Sequence, residues 1–193
     1  MPVSSCWMHG NALTIESPFF FHPEGRLLGQ IRLTPFGWGA DISTEGTSIG
    51  RSWMHMPIPT VNGSVSGSEN FELLRVFLLF ECSDSALIEF HVYDGYHKIQ
   101  EFPRSGSLTG DFRVKGHRNT FELAKPYRVK SGVSLSFLFA PHVLTDTGGG
   151  GKAVNPHLVV TAAGAEFSTS SRFVTFFATL LPRFSSTVRR LLP

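Results

Sequence analysis

From Val133 to Phe139 apolar residues fall on every second position: Val133, Leu135, Phe137 and Phe139 share one parity, and Ser134 and Ser136 sit on the other. Side chains of an extended chain alternate between two faces, so this spacing builds a half-buried strand and would scatter its apolar groups around a helix. Leu27, Ile31 and Leu33 stand against Arg26, Gln30 and Arg32 with the same period. So do Ala86, Ile88, Phe90 and Val92 against Glu89, His91 and Tyr93, and Leu108, Phe112 and Val114 against Thr109, Asp111 and Arg113. Residues 71–82 differ. Leu74, Val76, Leu78 and Phe80 fill one parity while Phe71, Leu73, Phe77 and Leu79 surround Arg75 on the other, which predicts a central strand covered on both faces.

Further strands are expected at residues 4–9, 12–16, 49–58, 120–123 and 158–167, separated by Gly, Pro, Asn, Asp and Ser. Many strands with turn signals and no helical pattern between them predict an all-β domain over residues 1–168, a jelly-roll-like antiparallel β-sandwich. Residues 61–70, rich in Gly and Ser, and residues 145–152, with four consecutive glycines, read as loops. From Arg172 the period changes: Phe173, Phe176, Phe177, Leu180, Leu181, Phe184, Val188 and Leu191 follow helical spacing. Residues 169–193 are therefore expected to form a short amphipathic helical tail, split at Pro182, with Arg172, Arg183, Arg189 and Arg190 beside the apolar stripe.

Lys and Arg exceed Asp and Glu by two, so no global field steers the chain to nucleic acid, and no nucleic-acid partner is expected. Two cysteines, Cys6 and Cys82, lack the spacing of a disulfide framework, zinc or redox motif and are expected to be free thiols. The first ten residues lack the basic start and apolar run of a signal peptide, and no stretch approaches a membrane span, which predicts a cytoplasmic location.

Three strings carry a family resemblance: Trp7-Met8-His9-Gly10; Trp53-Met54-His55-Met56-Pro57-Ile58-Pro59; and His91-Val92-Tyr93-Asp94-Gly95. Together they resemble an uncharacterised family of small microbial β-rich proteins, a domain of unknown function that pairs these motifs. The likeness runs over about residues 6–167, includes residues 127–139, and stops before the tail. It implies a shared β-rich domain and lends no catalytic residue.

In extended chain Trp7 and His9 point to one face, as do Arg51, Trp53 and His55. Neighbouring strands would make of these a patch of indoles, imidazoles and a guanidinium able to stack on a planar ligand and move protons. The alternative is that the indoles cap the core and each histidine bonds to a backbone carbonyl. Glu89, His91 and Tyr93 form a second row, either an acid/base set or a solvated polar face ahead of an Asp94-Gly95 turn. Arg75, on an apolar face, needs a partner: Glu89 or Glu72, or else a ligand carboxylate. His9, His55 and His91 can hold zinc only if the fold converges them. HExxH, Cys-rich, P-loop and G-x-S-x-G patterns are absent, so no metal and no cofactor is expected.

The resulting expectation is a small, largely apolar organic ligand in an aromatic-lined pocket, with His9, His55 and His91 as acid/base candidates for cofactor-free cyclisation or isomerisation. Trp7, Arg51, Trp53, Arg75 and Tyr93 are the ligand-binding candidates. The competing expectation is a non-catalytic lectin-like or protein-interaction module whose tail mediates a homo-oligomer contact or touches a membrane surface.

Overall fold

The computed structural model describes residues 3–46, 50–60, 69–141 and 155–171. The expected loop cores at 61–68 and 145–152 and the expected helical tail from Arg172 onward lie outside these residues, while residues 169–171, expected to begin that tail, belong to a strand. The described chain is all-β and antiparallel, with eleven strands joined into one curled sheet and no α-helix. None of its described helical segments is long and apolar enough to cross a membrane.

The strands are β1 (Val3–His9), β2 (Thr14–Ile15), β3 (Phe19–Phe21), β4 (Leu27–Phe36), β5 (Gly39–Gly46) and β6 (Ser52–Ile58). They continue as β7 (Glu69–Asp94), β8 (His97–Phe112), β9 (Thr120–Arg128), β10 (Val133–Pro141) and β11 (His157–Ser171). The two strands expected on either side of Ser83 are thus one strand of 26 residues. Asp84 bends it without ending it, taking a left-handed φ of 48° that re-aims the chain.

This long strand organises the sheet. Along one edge, β11 pairs with residues 69–83 and β10 with residues 85–94. Along the other edge, β9 pairs with residues 72–77 and β8 runs beside residues 80–94. Outward from β11 come β1 and β5, then β4 and β3; outward from β10 come β6 and β2. The curl brings Phe90, on the second half of β7, to 4.2 Å from the Phe121 ring, on the strand beside the first half. The space between is a single hydrophobic cluster.

Phenylalanine supplies much of that cluster. Phe80, Phe90, Phe121, Phe137, Phe139 and Phe167 are fully buried in it, while Phe77, equally buried, lies outside it against Trp7. Burying each contributes up to about 3 kcal/mol. The alternation holds cleanly in β10, where Val133, Leu135, Phe137 and Phe139 are all buried. In β7 it is reset at Leu74, which is skipped in both pairings, so Leu73 and Val76 are buried while Leu74 is only half-buried. Val114, expected to continue the inward face of β8, lies past the strand's end and is 82% exposed.

Cys6 and Cys82 are both free, as expected. Burial pushes the Cys82 thiol up to about 11 despite its contact with Ser85 Oγ, so it is a packing group rather than a nucleophile.

Candidate functional site

The strand β6 lies between β2 and β10, and β10 lies between β6 and β7. Register then places Thr14, His55, Ser136, His91 and Glu101 side by side across five strands, from β2 to β8. His55 Nδ1 is 2.8 Å from Ser136 Oγ, and its Nε2 is 3.5 Å from a Glu16 carboxylate oxygen. With β10 intervening, the backbones of His55 and His91 are two strand spacings apart, roughly 9–10 Å.

His91 is the centre of this row. It is only 8% exposed, with the Trp53 ring 4.6 Å away. Its Nε2 lies 2.8 Å from Glu89 Oε1 and 3.8 Å from Glu101 Oε2, and its Nδ1 lies 3.4 Å from the Tyr93 hydroxyl. A carboxylate can only accept, so Nε2 carries a proton toward Glu89, and in the neutral ring Nδ1 then accepts from Tyr93. Glu101 in turn accepts from Lys98 Nζ at 2.5 Å, which holds its carboxyl below the ordinary range.

His9 is placed elsewhere. It ends β1, which pairs with β11, and its ring is engaged with backbone on both sides: Nε2 lies 3.2 Å from the Gly37 carbonyl and Nδ1 accepts from Asn11 N–H. That is the backbone-bonded alternative raised for it. The two Trp-Met-His strings do not pair either. Trp7 lies against Phe77 at 4.2 Å, Trp53 against His91, and Arg51 is exposed just ahead of β6. The structure thus joins His55, His91, Trp53 and Tyr93 to one face and leaves Trp7 and His9 apart.

Arg75 has a protein partner, but neither Glu89 nor Glu72. Its direct cross-strand neighbours are Glu166 on β11 and Glu122 on β9, and it bonds to them at 2.6 and 3.0 Å. Glu166, buried, also accepts from Lys115. Burial pushes its carboxyl up, but the Lys115 and Arg75 hydrogen bonds outweigh this and hold it below 4.5. Its stabilising contribution is therefore complete above the unfolded-state value and lost as pH falls through the lower folded one. Glu166→Gln should lower stability at neutral pH by about 1–2 kcal/mol, because the two cations it leaves behind reach water. Urea unfolding checks this, and a midpoint shift that persists undiminished at acid pH would contradict it.

Beside Glu101 runs an open groove of about 920 Å³. Its lining is mixed: Phe102 and Phe121 among Arg75, Glu101, Lys115 and Glu122. Glu101 is therefore shared between groove and imidazole. Sequence reasoning missed Glu101, Lys98 and Ser136, since each acquires meaning only from its cross-strand neighbour.

No protein-family model matches the chain, and no curated protein matches it.

Proposed function

We propose that the protein binds a small organic ligand in the groove beside Glu101 and moves a proton on it through Glu101 and the His91 imidazole beside it, which Glu89 and Tyr93 hold on either side, in a cofactor-free isomerisation or cyclisation. The observation that carries this reading is the buried imidazole of His91, bonded on one nitrogen to a carboxylate and on the other to a phenol, under an indole. The Nε2 proton is shared with Glu89, and Nε2 is also the nitrogen 3.8 Å from Glu101, so the ring can exchange a proton with Glu101 without turning. Phe102 offers the apolar part of a ligand its contact, and Arg75 and Lys115, both already paired with Glu166, offer polar contacts beside it. In this reading the curled sheet is a jelly-roll-like sandwich, with the site on the outside of one layer.

The test is a thermal-shift and turnover screen of small aromatic and carbonyl compounds. His91→Gln and Glu101→Gln should each lower turnover of any hit by about 100-fold or more while the fold persists. Unchanged turnover in both variants would remove the reading.

The non-catalytic binding module has its own support. Trp38 is 52% exposed and stacks on Phe36 at 5.1 Å with rings nearly parallel, and Trp7 is 45% exposed. Such rigid outward aromatic surface suits contact with a partner. Iodide quenching of Trp38 that a binding partner relieves, without any reaction, would favour that alternative.

A further inference from the structure

His9, His55 and His91, which could have held zinc only by converging, do not all meet, yet one of them meets two carboxylates. One ligand atom from each of Glu89, His91 and Glu101 lies within 4.8 Å of the others. Two of these residues are two apart on β7 and so share a face, and the third is the direct cross-strand neighbour of His91. We propose that Glu89, His91 and Glu101 form a binding site for a divalent first-row transition ion such as zinc.

Three features support the site. An ion held about 2.0–2.2 Å from nitrogen and carboxylate oxygen spaces its ligands roughly 3–3.5 Å apart. The distances from His91 Nε2, 2.8 Å to Glu89 and 3.8 Å to Glu101, bracket that spacing, and the two part-exposed glutamates adjust by side-chain rotation. Second, the fixed member is the imidazole, packed under Trp53, so the nitrogen ligand is held in place before an ion arrives. Third, when Nε2 ligates an ion, Nδ1 carries the proton and donates it to Tyr93 Oη, the kind of outer partner that orients a ligating histidine.

The donor set selects the metal. One imidazole with two carboxylates suits zinc and its neighbours, whereas magnesium and calcium take oxygen donors and copper(I) takes sulfur. The exposed side of Glu101 leaves room for water to complete the coordination. One group opposes binding: the Lys98 ammonium, bonded to Glu101 at 2.5 Å, must give way. Lys98 therefore acts as a built-in competitor for the site.

The proposal shares His91 and Glu101 with the proton-transfer reading but does not rest on it, since zinc is titrated with no organic ligand present. The experiment is competition of zinc chloride against a chromogenic chelator with the full chain. One ion per chain should bind. Glu101→Gln and His91→Gln should weaken it most, Tyr93→Phe by about tenfold, and Lys98→Met should tighten it several-fold. Glu101 and Lys98 are exposed, so their variants fold, and the gain at Lys98→Met cannot come from unfolding. Absence of saturable binding overturns the proposal, as does zinc affinity unchanged in Glu101→Gln, which would place the ion at another pair such as His157 and Asp41.

Discussion

Replacing Asp94 by alanine should lower stability at neutral pH by about 3 kcal/mol or more, because this carboxylate ties the end of β7 to the turn between β9 and β10. Its Oδ1 accepts from the backbone N–H of Ser131 and Gly132 at 2.7 and 2.9 Å, and its Oδ2 from that of Lys130 at 2.8 Å. The Tyr127 hydroxyl adds a longer bond at 3.4 Å. These donors belong to the turn between β9 and β10, so a residue at the end of β7 fixes a turn more than thirty positions away. Beside it Gly95 takes φ +58° at the hairpin and donates its own N–H to the Gly132 carbonyl. Removing the carboxylate leaves three backbone donors without their partner.

The pH dependence tests the same assignment. Burial pushes the Asp94 carboxyl up, but the backbone donors outweigh it and hold the group below its ordinary 3.8. A depressed carboxylate contributes its full stability above the unfolded-state value and loses it as pH falls through the folded one. Asp94→Asn, which turns an amide N–H₂ toward the Lys130 donor, should therefore differ most from wild type at neutral pH. The gap in urea midpoint should narrow below pH 3.8. A gap constant from pH 7 to pH 3 would show that Asp94 acts by shape and not by charge.

The second large effect is expected at Gly10, the last residue of the Trp-Met-His-Gly string. A Cβ there would stand 1.9 Å from the Val160 carbonyl oxygen, 2.8 Å from its carbon and 3.1 Å from Ala40 N. All three are backbone atoms of paired strands, β11 and β5, so no side chain can rotate away. Gly10→Ala should cost about 3 kcal/mol, which for a chain of this size lowers Tm by roughly 6–12 °C. Gly37→Ala, whose Cβ would meet nothing within 4 Å, is the control and should melt near wild type. Equal melting of the two variants would mean that the crossing of the 3₁₀ turn Gly10–Ala12 over β11 is looser than described.

The glycine of the motif thus has a packing reason, and so has its histidine. His9 is spent on the Gly37 carbonyl and the Asn11 amide in the same crossing. In the second string the same residue types do different work: Trp53 covers His91, and His55 bonds to Ser136. Similar strings placed on strands with different partners acquire different roles.

How far the sequence reaches is clearest around His91. That Glu89, His91 and Tyr93 share a face follows from alternation alone, and the Asp94-Gly95 turn follows from residue type. Counting back from that hairpin places Lys98 opposite Tyr93, as observed, and would then put Gln100 opposite His91. The structure puts Glu101 there instead, because Ile99 is an extra residue between the pairs Tyr93 with Lys98 and Val92 with Gln100. One bulge decides whether the imidazole faces an amide or a second carboxylate.

Arg75 illustrates the same divide. Its need for a partner was legible from its apolar neighbours, but its partners sit 47 and 91 positions away in Glu122 and Glu166. What is local can be read along the chain alone: the period of two, the turn residues, the apolar parity of β10 and the polar parity that carries His91. Tertiary structure decided the continuity of β7 through Asp84, the register across its edges and the separation of His9 from His91. The difference is one of range. Alternation is set by the geometry of one extended chain, whereas which side chains meet across a sheet depends on bulges and pairings whose energies are settled only when the whole sheet closes.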